Sequence, residues 1–264
     1  MERGGSHQLR LYMTQYETMH IAAQYLAMAA KSFLPAQDDD SHTNLGWNSK
    51  DKRMESRPLN SEGLILALNY LDYSLDFAHP KSGVGASYPL GGASHLDFLN
   101  WIGRESKFAG IDAEFKFDLH YELPYEGIFT DEYKYAGKDE DQLNALIQLR
   151  WLADKTLSMI NTHFHEVSEV RIWPHHFDTG CLGYFDTKKN VSVGLGLAIP
   201  DKNVDDWYFY ASGYHGEEPI QTEMFEPLKN GEWRSGEWNA GILKASGKSL
   251  PVVSSFFNEV IKAF

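Results

Sequence analysis

Four stretches of the chain carry the apolar pattern or the end signals of helices: residues 14–34, 94–107, 141–163 and 251–264. Thr14 and Ser94 are each followed, three positions later, by an acidic residue, which is the capping-box pattern of a helix N-terminus. Pro35 ends the first stretch, because proline lacks the amide hydrogen that a helix interior needs. We therefore predict four helices.

Alternation of apolar and polar residues marks the predicted strands. AEFKFDLH, residues 113–120, alternates most clearly and predicts a half-buried strand. Residues 63–79 alternate with a break in parity, as in a β-hairpin, although their leucines also fit a helical stripe. The glycine-rich span 81–94 predicts a loop, and it lacks the Gly-Lys-Ser/Thr ending of a phosphate-binding loop. Further strands are predicted at 168–174, 181–187, 190–199, 207–213 and 238–245.

These elements predict an α+β fold in which several helices pack on a mainly antiparallel β-sheet. We expect one domain over residues 1–264, with the helix and polar loop of residues 1–40 as its peripheral part. The predicted strand 190–199 has one apolar side, and its other side is almost bare, with glycine at positions 194 and 196. Either a helix or a ligand must therefore cover that bare side.

Composition narrows the choice of partners. The formal net charge is −13, which argues against a nucleic-acid backbone or an anionic membrane surface as the main partner. Cys181 is the one cysteine, so no internal disulfide can form, and we interpret it as a buried structural thiol. MERGGSHQLR lacks the apolar region of a signal peptide, and no apolar run is long enough to span a bilayer. We therefore expect a cytoplasmic protein.

The segment SEVRIWPHHFDTG, residues 168–180, concentrates the groups that could carry chemistry: Arg171, Trp173, His175, His176 and Asp178. On a continuous strand, His176 and Asp178 face the same side as Ile172, which is expected to be buried, and the other three face away. Pro174 complicates this assignment, because proline within a strand often marks a bulge that reverses the facing.

Three hypotheses compete for this segment. In the first, His176 and Asp178 supply two ligands of a metal site that His215 completes. In the second, the segment binds a small polar or aromatic molecule, and His176 acts as acid or base with Asp178 orienting it. In the third, the same side chains form a buried network without activity.

The second hypothesis is our leading one, and it assigns a role to each neighbouring group. Arg171 or His175 would contact an anionic part of the ligand, because both can donate hydrogen bonds to it. The candidate wall of the pocket is formed by Trp173, Tyr210 and His215. His120 and Glu122 complete the candidate ligand-binding set: they resemble half of a zinc-deaminase signature whose Pro-Cys-x-x-Cys part is missing here.

Known motifs for other chemistries are absent. The chain has no G-x-S-x-G, no H-E-x-x-H and no paired C-x-x-C, and GLGLAIP lacks the third glycine of a dinucleotide fingerprint. No cofactor is therefore assigned from the sequence, and neither is an oligomeric state.

WPHHFD, residues 173–178, together with NLGW at 44–47, HYELP at 120–124 and WYFYAS at 207–212, resembles a bacterial family of unknown function. The resemblance extends over most of the chain from about residue 40 onward, and WPHHFD is its most specific element. It implies a single α+β domain. It carries over no catalytic roles, because that family has no established activity.

Overall fold

Two antiparallel β-sheets form the frame of the protein, which a computed structural model describes over residues 13–79, 81–186, 188 and 190–264. The smaller sheet has five strands in chain order, β1 to β5: Gly46–Asn48, Arg53–Glu55, Ile65–Asn69, Ser74–His79 and Gly83–Pro89. The larger sheet has eight strands, β6 to β13: Glu166–Val167, Arg171–Trp173, Asp178–Tyr184, Val191–Ala198, Tyr208–His215, Glu218–Pro219, Glu232–Arg234 and Ala240–Lys244. Strands β13, β10, β9 and β8 lie side by side at its centre.

Four α-helices pack against these sheets, which confirms the predicted α+β class: Gln15–Phe33 (α1), His95–Phe108 (α2), Glu140–Met159 (α3) and Leu250–Ala263 (α4). Both predicted capping boxes are present, Thr14 with Glu17 and Ser94 with Asp97. Within the described part of the chain, no helix is both long and apolar enough to cross a membrane.

Helix α1 lies at the centre of the protein, so the expectation of a peripheral N-terminal helix is wrong. Its residues from Gln15 to Ala30 are buried with the single exception of Tyr16. The alanines and methionines of this helix allow such close packing, because their side chains are small or flexible. Residues 1–12, on which the expected absence of a signal peptide rests, lie outside the described residues.

The predicted strand at 113–120 does not form. Phe115, Phe117 and Leu119 are more buried than their neighbours, so the alternation predicts the facing correctly, but no strand pairs with this segment. The extended chain is held instead by the end of α1, where Ser32 Oγ accepts from Lys116 N at 2.9 Å and donates to Lys116 O at 3.1 Å. Alternation reports which side chains are covered, and it does not report what covers them.

The glycine-rich span 81–94 is only partly a loop. Residues 83–89 form strand β5, which pairs with β4 along the edge of the smaller sheet. Glycine weakens a strand without preventing it, and pairing with β4 offsets that weakness here. The predicted hairpin at 63–79 is confirmed as β3 and β4, so its leucines do not form a helical stripe.

The larger sheet has two different faces. Helix α3 packs on β8 and β9, and α4 packs on β10 and β13, so one face of the sheet is covered by helices. Leu195, Leu197 and Phe209 point into that covered face and are fully buried. The opposite face carries the positions between them, which include Gly194, Gly196 and Tyr210.

Replacing Ser32 with alanine tests how the 112–120 segment is held. We expect trypsin to cleave after Lys116 faster in Ser32→Ala than in the wild type, because both hydrogen bonds to Lys116 are lost. The global free energy of unfolding should fall by only about 1 kcal/mol, the usual value of such bonds. An unchanged cleavage rate would show that the aromatic contacts and the bonds from Lys31 to Asp118 are enough to hold the segment.

Candidate functional site

The WPHHFD segment forms a tight turn between two strands, so the side-chain facing expected of a continuous strand does not hold, and Pro174 lies in the turn. Strand β7 ends at Trp173, β8 begins at Asp178, and these two residues pair across the ladder. Phe177 closes the turn in the left-handed backbone region, with φ of 57°, and its N–H donates to Trp173 O at 2.7 Å. Opposed residues of an antiparallel pair share a face, so Trp173 and Asp178 lie on the same side.

Helix α1 holds this turn from one direction. His20 Nε2 donates to Pro174 O at 2.8 Å, and its Nδ1 lies 3.0 Å from the hydroxyl of Tyr125. Gln24 Nε2 donates to the same Pro174 oxygen at 2.8 Å. The imidazole of His20 also stacks on Phe177, with ring centroids 4.7 Å apart. Burial lowers the pKa of His20 to about 4, so this histidine is neutral at pH 7.

Helix α3 holds the turn through Arg150, which is fully buried. Its guanidinium donates to Phe177 O at 2.7 Å and to Thr179 Oγ1, and its Cζ lies 4.3 Å from the centre of the Phe177 ring. No carboxylate among the described residues forms an ion pair with it. Arg150 thus bonds to the residues on both sides of Asp178 and fixes the position of that carboxylate.

A cleft of about 920 Å³ opens beside the turn, on the face of the larger sheet opposite α3 and α4. His175, His176 and Asp178 contribute to its lining. The rest of the lining comes from His20 of α1, the segment 121–124, the loop 198–203, and three large aromatic side chains, Tyr208, Tyr210 and Trp238. This volume and this mixture of aromatic rings with a few polar groups are typical of small-molecule sites.

Asp178 is the most unusual group in the cleft. Its Oδ2 accepts a hydrogen bond from Tyr210 at 2.8 Å, whereas its Oδ1 is buried and has no partner among the described residues. Burial raises the pKa of the Asp178 carboxyl, against the Tyr210 hydrogen bond and the charges of His176 and Arg150, which lower it. Burial and the adjacent carboxylate raise the pKa of Tyr210 well above its usual value, so Tyr210 keeps its proton and donates.

Two glycines make room for Tyr210. A Cβ atom on Gly196 would lie 2.7 Å from the Tyr210 ring, and one on Gly180 would lie 3.2 Å from its hydroxyl oxygen. The phenol ring therefore lies across strands β9 and β8 and reaches Asp178. Part of the bare side of strand 190–199 is thus covered by an aromatic side chain from the neighbouring strand, in place of the expected helix or ligand.

His175 and His176 differ in exposure. His175 is half-buried and its ring lies 5.5 Å from that of Tyr121, whereas His176 is exposed. Burial, with a smaller contribution from His176, lowers the pKa of His175 to about 4, so His175 is neutral at pH 7. The described residues show no hydrogen bond between His176 and Asp178, the pair that the sequence suggested as base and orienting partner.

The cleft brings together five of the predicted site residues: Glu122, His175, His176, Asp178 and Tyr210. Arg171 and Trp173 line a separate, smaller cavity, which Tyr210 also lines.

The two remaining histidines lie elsewhere. His120 is bonded to Asp40 at 2.7 Å and does not line the cleft. His215 lies five residues beyond Tyr210, at the far end of β10, and pairs with Val191 and Glu218. The metal site of His176, Asp178 and His215 is therefore not assembled, and the described residues contain no group of three or more His, Cys, Asp or Glu side chains that could hold a metal.

The sequence analysis missed His20, Tyr121, Tyr208, Arg150 and Trp238. Tyr208 could have been predicted, because it lies two positions before Tyr210 on a strand and so shares its face. Arg150 could also have been noticed in the sequence, since it continues the helical spacing of Leu143, Leu146 and Ile147. A charged residue on such a stripe needs buried partners.

Comparison with known proteins gives no further constraint: no protein-family model, curated protein or solved structure matches the chain. The likeness of WPHHFD to an uncharacterised bacterial family stays a prediction.

Gly196→Ala should displace Tyr210, because the added methyl group would overlap both the phenol ring and Thr179 O. We expect a loss of about 1–3 kcal/mol in urea unfolding, as for other overpacked sites. Gly194→Ala is the matched control on the same strand, since its nearest atom is Ser212 O at 4.0 Å. Equal losses in both variants would mean that strand geometry, and not Tyr210, determines the cost.

Asp178→Asn should be more stable than the wild type at neutral pH. Because the folded-state pKa of Asp178 is raised, its contribution to stability is present at low pH and is lost as the pH rises through that pKa. Asparagine does not titrate, so the difference between the two proteins should grow over that window and then level off. It amounts to about 1.4 kcal/mol for each unit of pKa shift.

Urea unfolding at a series of pH values between about 4 and 8 measures this difference. A lower stability of Asp178→Asn at neutral pH would show that the carboxylate holds the fold together.

Proposed function

We propose that the cleft binds a small molecule that carries a flat ring and a hydrogen-bond donor, with Asp178 as the group that receives the donor. The observation that carries this proposal is the buried Oδ1 of Asp178, which lacks a partner among the described residues at the wall of a cleft of about 920 Å³. Buried polar atoms of native proteins almost always have a hydrogen-bond partner, and an exception needs an explanation, such as a role in binding or catalysis.

The aromatic residues support the ring in this proposal. Trp238 lies 6.0 Å from Tyr208 and 6.1 Å from Tyr210, measured between ring centroids, so the three rings form one patch beside Asp178. Aromatic faces bind flat, partly apolar ligands by offset or edge contacts. His175 also lines the cleft; it is neutral at pH 7 and can either donate or accept a hydrogen bond.

Acid–base catalysis is the natural extension of this binding role. A carboxyl group whose pKa is raised towards neutrality can take up and return a proton, which is what a general acid or base must do. We assign this role to Asp178, with Tyr210 holding its second oxygen. His175 and His176 line the same cleft and are the candidates for contact with the reacting group.

The competing proposal is a structural tie without a ligand. It is favoured by the hydrogen bond from Tyr210 to Asp178, which joins strand β10 to β8 across β9. Such a tie would not explain why the other carboxylate oxygen is left without a donor. The stability of Asp178→Asn separates the two proposals.

A pair of probes with the same ring tests the ligand class. Benzamidine carries N–H donors on a benzene ring and should raise the Tm of the protein in a saturable manner at pH 8. Acetophenone, which carries the same ring but offers only an uncharged acceptor, should not. A stabilisation of about 1 kcal/mol corresponds to roughly 2–4 °C in a chain of this size.

Two variants make the test specific. Asp178→Asn should abolish the response to benzamidine. Asp201→Asn should preserve it, because the oxygens of Asp201 already accept from Asn203 N, Val204 N and Tyr208 OH. The proposal fails if Asp178→Asn responds like the wild type, or if acetophenone stabilises the protein as much as benzamidine does.

A further inference from the structure

Two arginines lie close together at the junction of the two sheets, away from the cleft. The junction is made by a bridge between Leu45, just before β1, and Ile172 of β7. Arg171 Nε donates to Asn44 Oδ1 at 2.8 Å, and Arg57 Nε donates to the same oxygen at 3.2 Å. Because both bonds end on one atom, the two Nε atoms are no more than about 6 Å apart.

The charges of this pair are incompletely balanced. Glu169 is the carboxylate nearest to both, at 3.4 Å from Arg57 Nη2 and 4.0 Å from Arg171 Nη1, and it is largely exposed. Two guanidinium groups therefore share one carboxylate, in a protein whose overall charge is strongly negative. Burial, with a smaller contribution from the charge of Arg57, lowers the pKa of Arg171 to about 10.

Unused donors of the pair face open space. No described residue accepts a hydrogen bond from the Nη1 group of Arg57 or of Arg171. Both arginines and Glu169 line two adjoining cavities, of about 290 and 580 Å³. A third arginine in the larger cavity, Arg53, differs from the pair because its guanidinium is bonded to Glu55 at 2.7 Å and lies 3.4 Å from Asp51.

We propose that Arg57 and Arg171 form a binding site for the oxyanion group of a small molecule, a carboxylate or a phosphate. Guanidinium groups bind such oxygens through parallel charge-assisted hydrogen bonds, and two of them side by side offer several donors to one anion. The adjoining cavities leave room for the rest of the molecule. Asn44 sets the spacing of the pair, and Glu169 occupies part of the site until the anion displaces it.

This site is separate from the cleft beside Asp178, and the proposal does not rest on the proposed function. Arg171 was expected to contact an anion next to His176, but the structure places its guanidinium in another cavity. The two sites share Tyr210 as a wall.

Thermal denaturation with sodium phosphate or sodium acetate, at an ionic strength held constant with sodium chloride, tests the proposal. We expect at least one of the two anions to raise the Tm in a saturable manner. A response to phosphate alone assigns a tetrahedral oxyanion, and a response to acetate alone assigns a carboxylate. If neither anion differs from sodium chloride, the site does not exist.

Variants locate the effect. Arg171→Gln and Arg57→Gln should each weaken the apparent affinity by about tenfold or more, because charge-assisted hydrogen bonds are lost. Arg53→Gln removes the same charge from the same cavity and should bind like the wild type. Glu169→Gln should bind several-fold more tightly, since it removes the competing carboxylate.

The outcome that would overturn the proposal is an equal response in Arg57→Gln and Arg53→Gln. If Arg171→Gln does not fold, Arg57→Gln alone decides, because its side chain is one-third exposed and its loss is tolerated more easily.

Discussion

The ring of Phe177 is the point on which the site depends. Arg150 is a buried cation with no ion-pair partner among the described residues, and such a charge is costly unless other groups replace its hydration. Phe177 supplies its ring face at 4.3 Å and its carbonyl oxygen at 2.7 Å, and Thr179 supplies a hydroxyl. The same ring stacks on His20, whose neutrality avoids a second positive charge beside Arg150. Helices α1 and α3 thereby hold the turn in one position.

That arrangement explains why the turn tolerates two unfavourable features. A bulky residue with positive φ costs of order 1–3 kcal/mol, and such strain persists only where the surroundings determine the conformation. Here the conformation is fixed by the hydrogen bonds from His20 to Pro174 O and from Arg150 to Phe177 O. The second unfavourable feature is the partnerless oxygen of Asp178, which the fixed turn delivers to the cleft. A flexible turn would let that carboxylate rotate towards water.

Features set by local sequence could be predicted, whereas features set by distant contacts could not. Helices and most strands follow from local periodicity, as the capping boxes of α1 and α2 and the hairpin of β3 and β4 show. The strand prediction for residues 113–120 was wrong because alternation does not show where the backbone hydrogen bonds go. Ser32 binds the backbone of this segment in place of a neighbouring strand. The WPHHFD turn could not be predicted, because its conformation is imposed by His20 and Arg150. His20 lies more than a hundred positions away in the chain, and Arg150 lies about thirty positions away. Asp178, Tyr210 and the two histidines could be predicted as candidates because their chemistry is local to one segment and one strand, and the structure brings them to one cleft.

The larger sheet leaves room for the cleft on one face because α3 and α4 pack on the other. Strand β9 keeps large apolar residues on the helical side and glycine at 194 and 196 on the open side. Gly196, together with Gly180 on β8, leaves the space through which Tyr210 reaches Asp178. Tyr210 then separates the cleft from the cavity that contains Arg171. A ligand that moved this ring would change both cavities at once, so the glycines that admit Tyr210 also couple the two proposed sites.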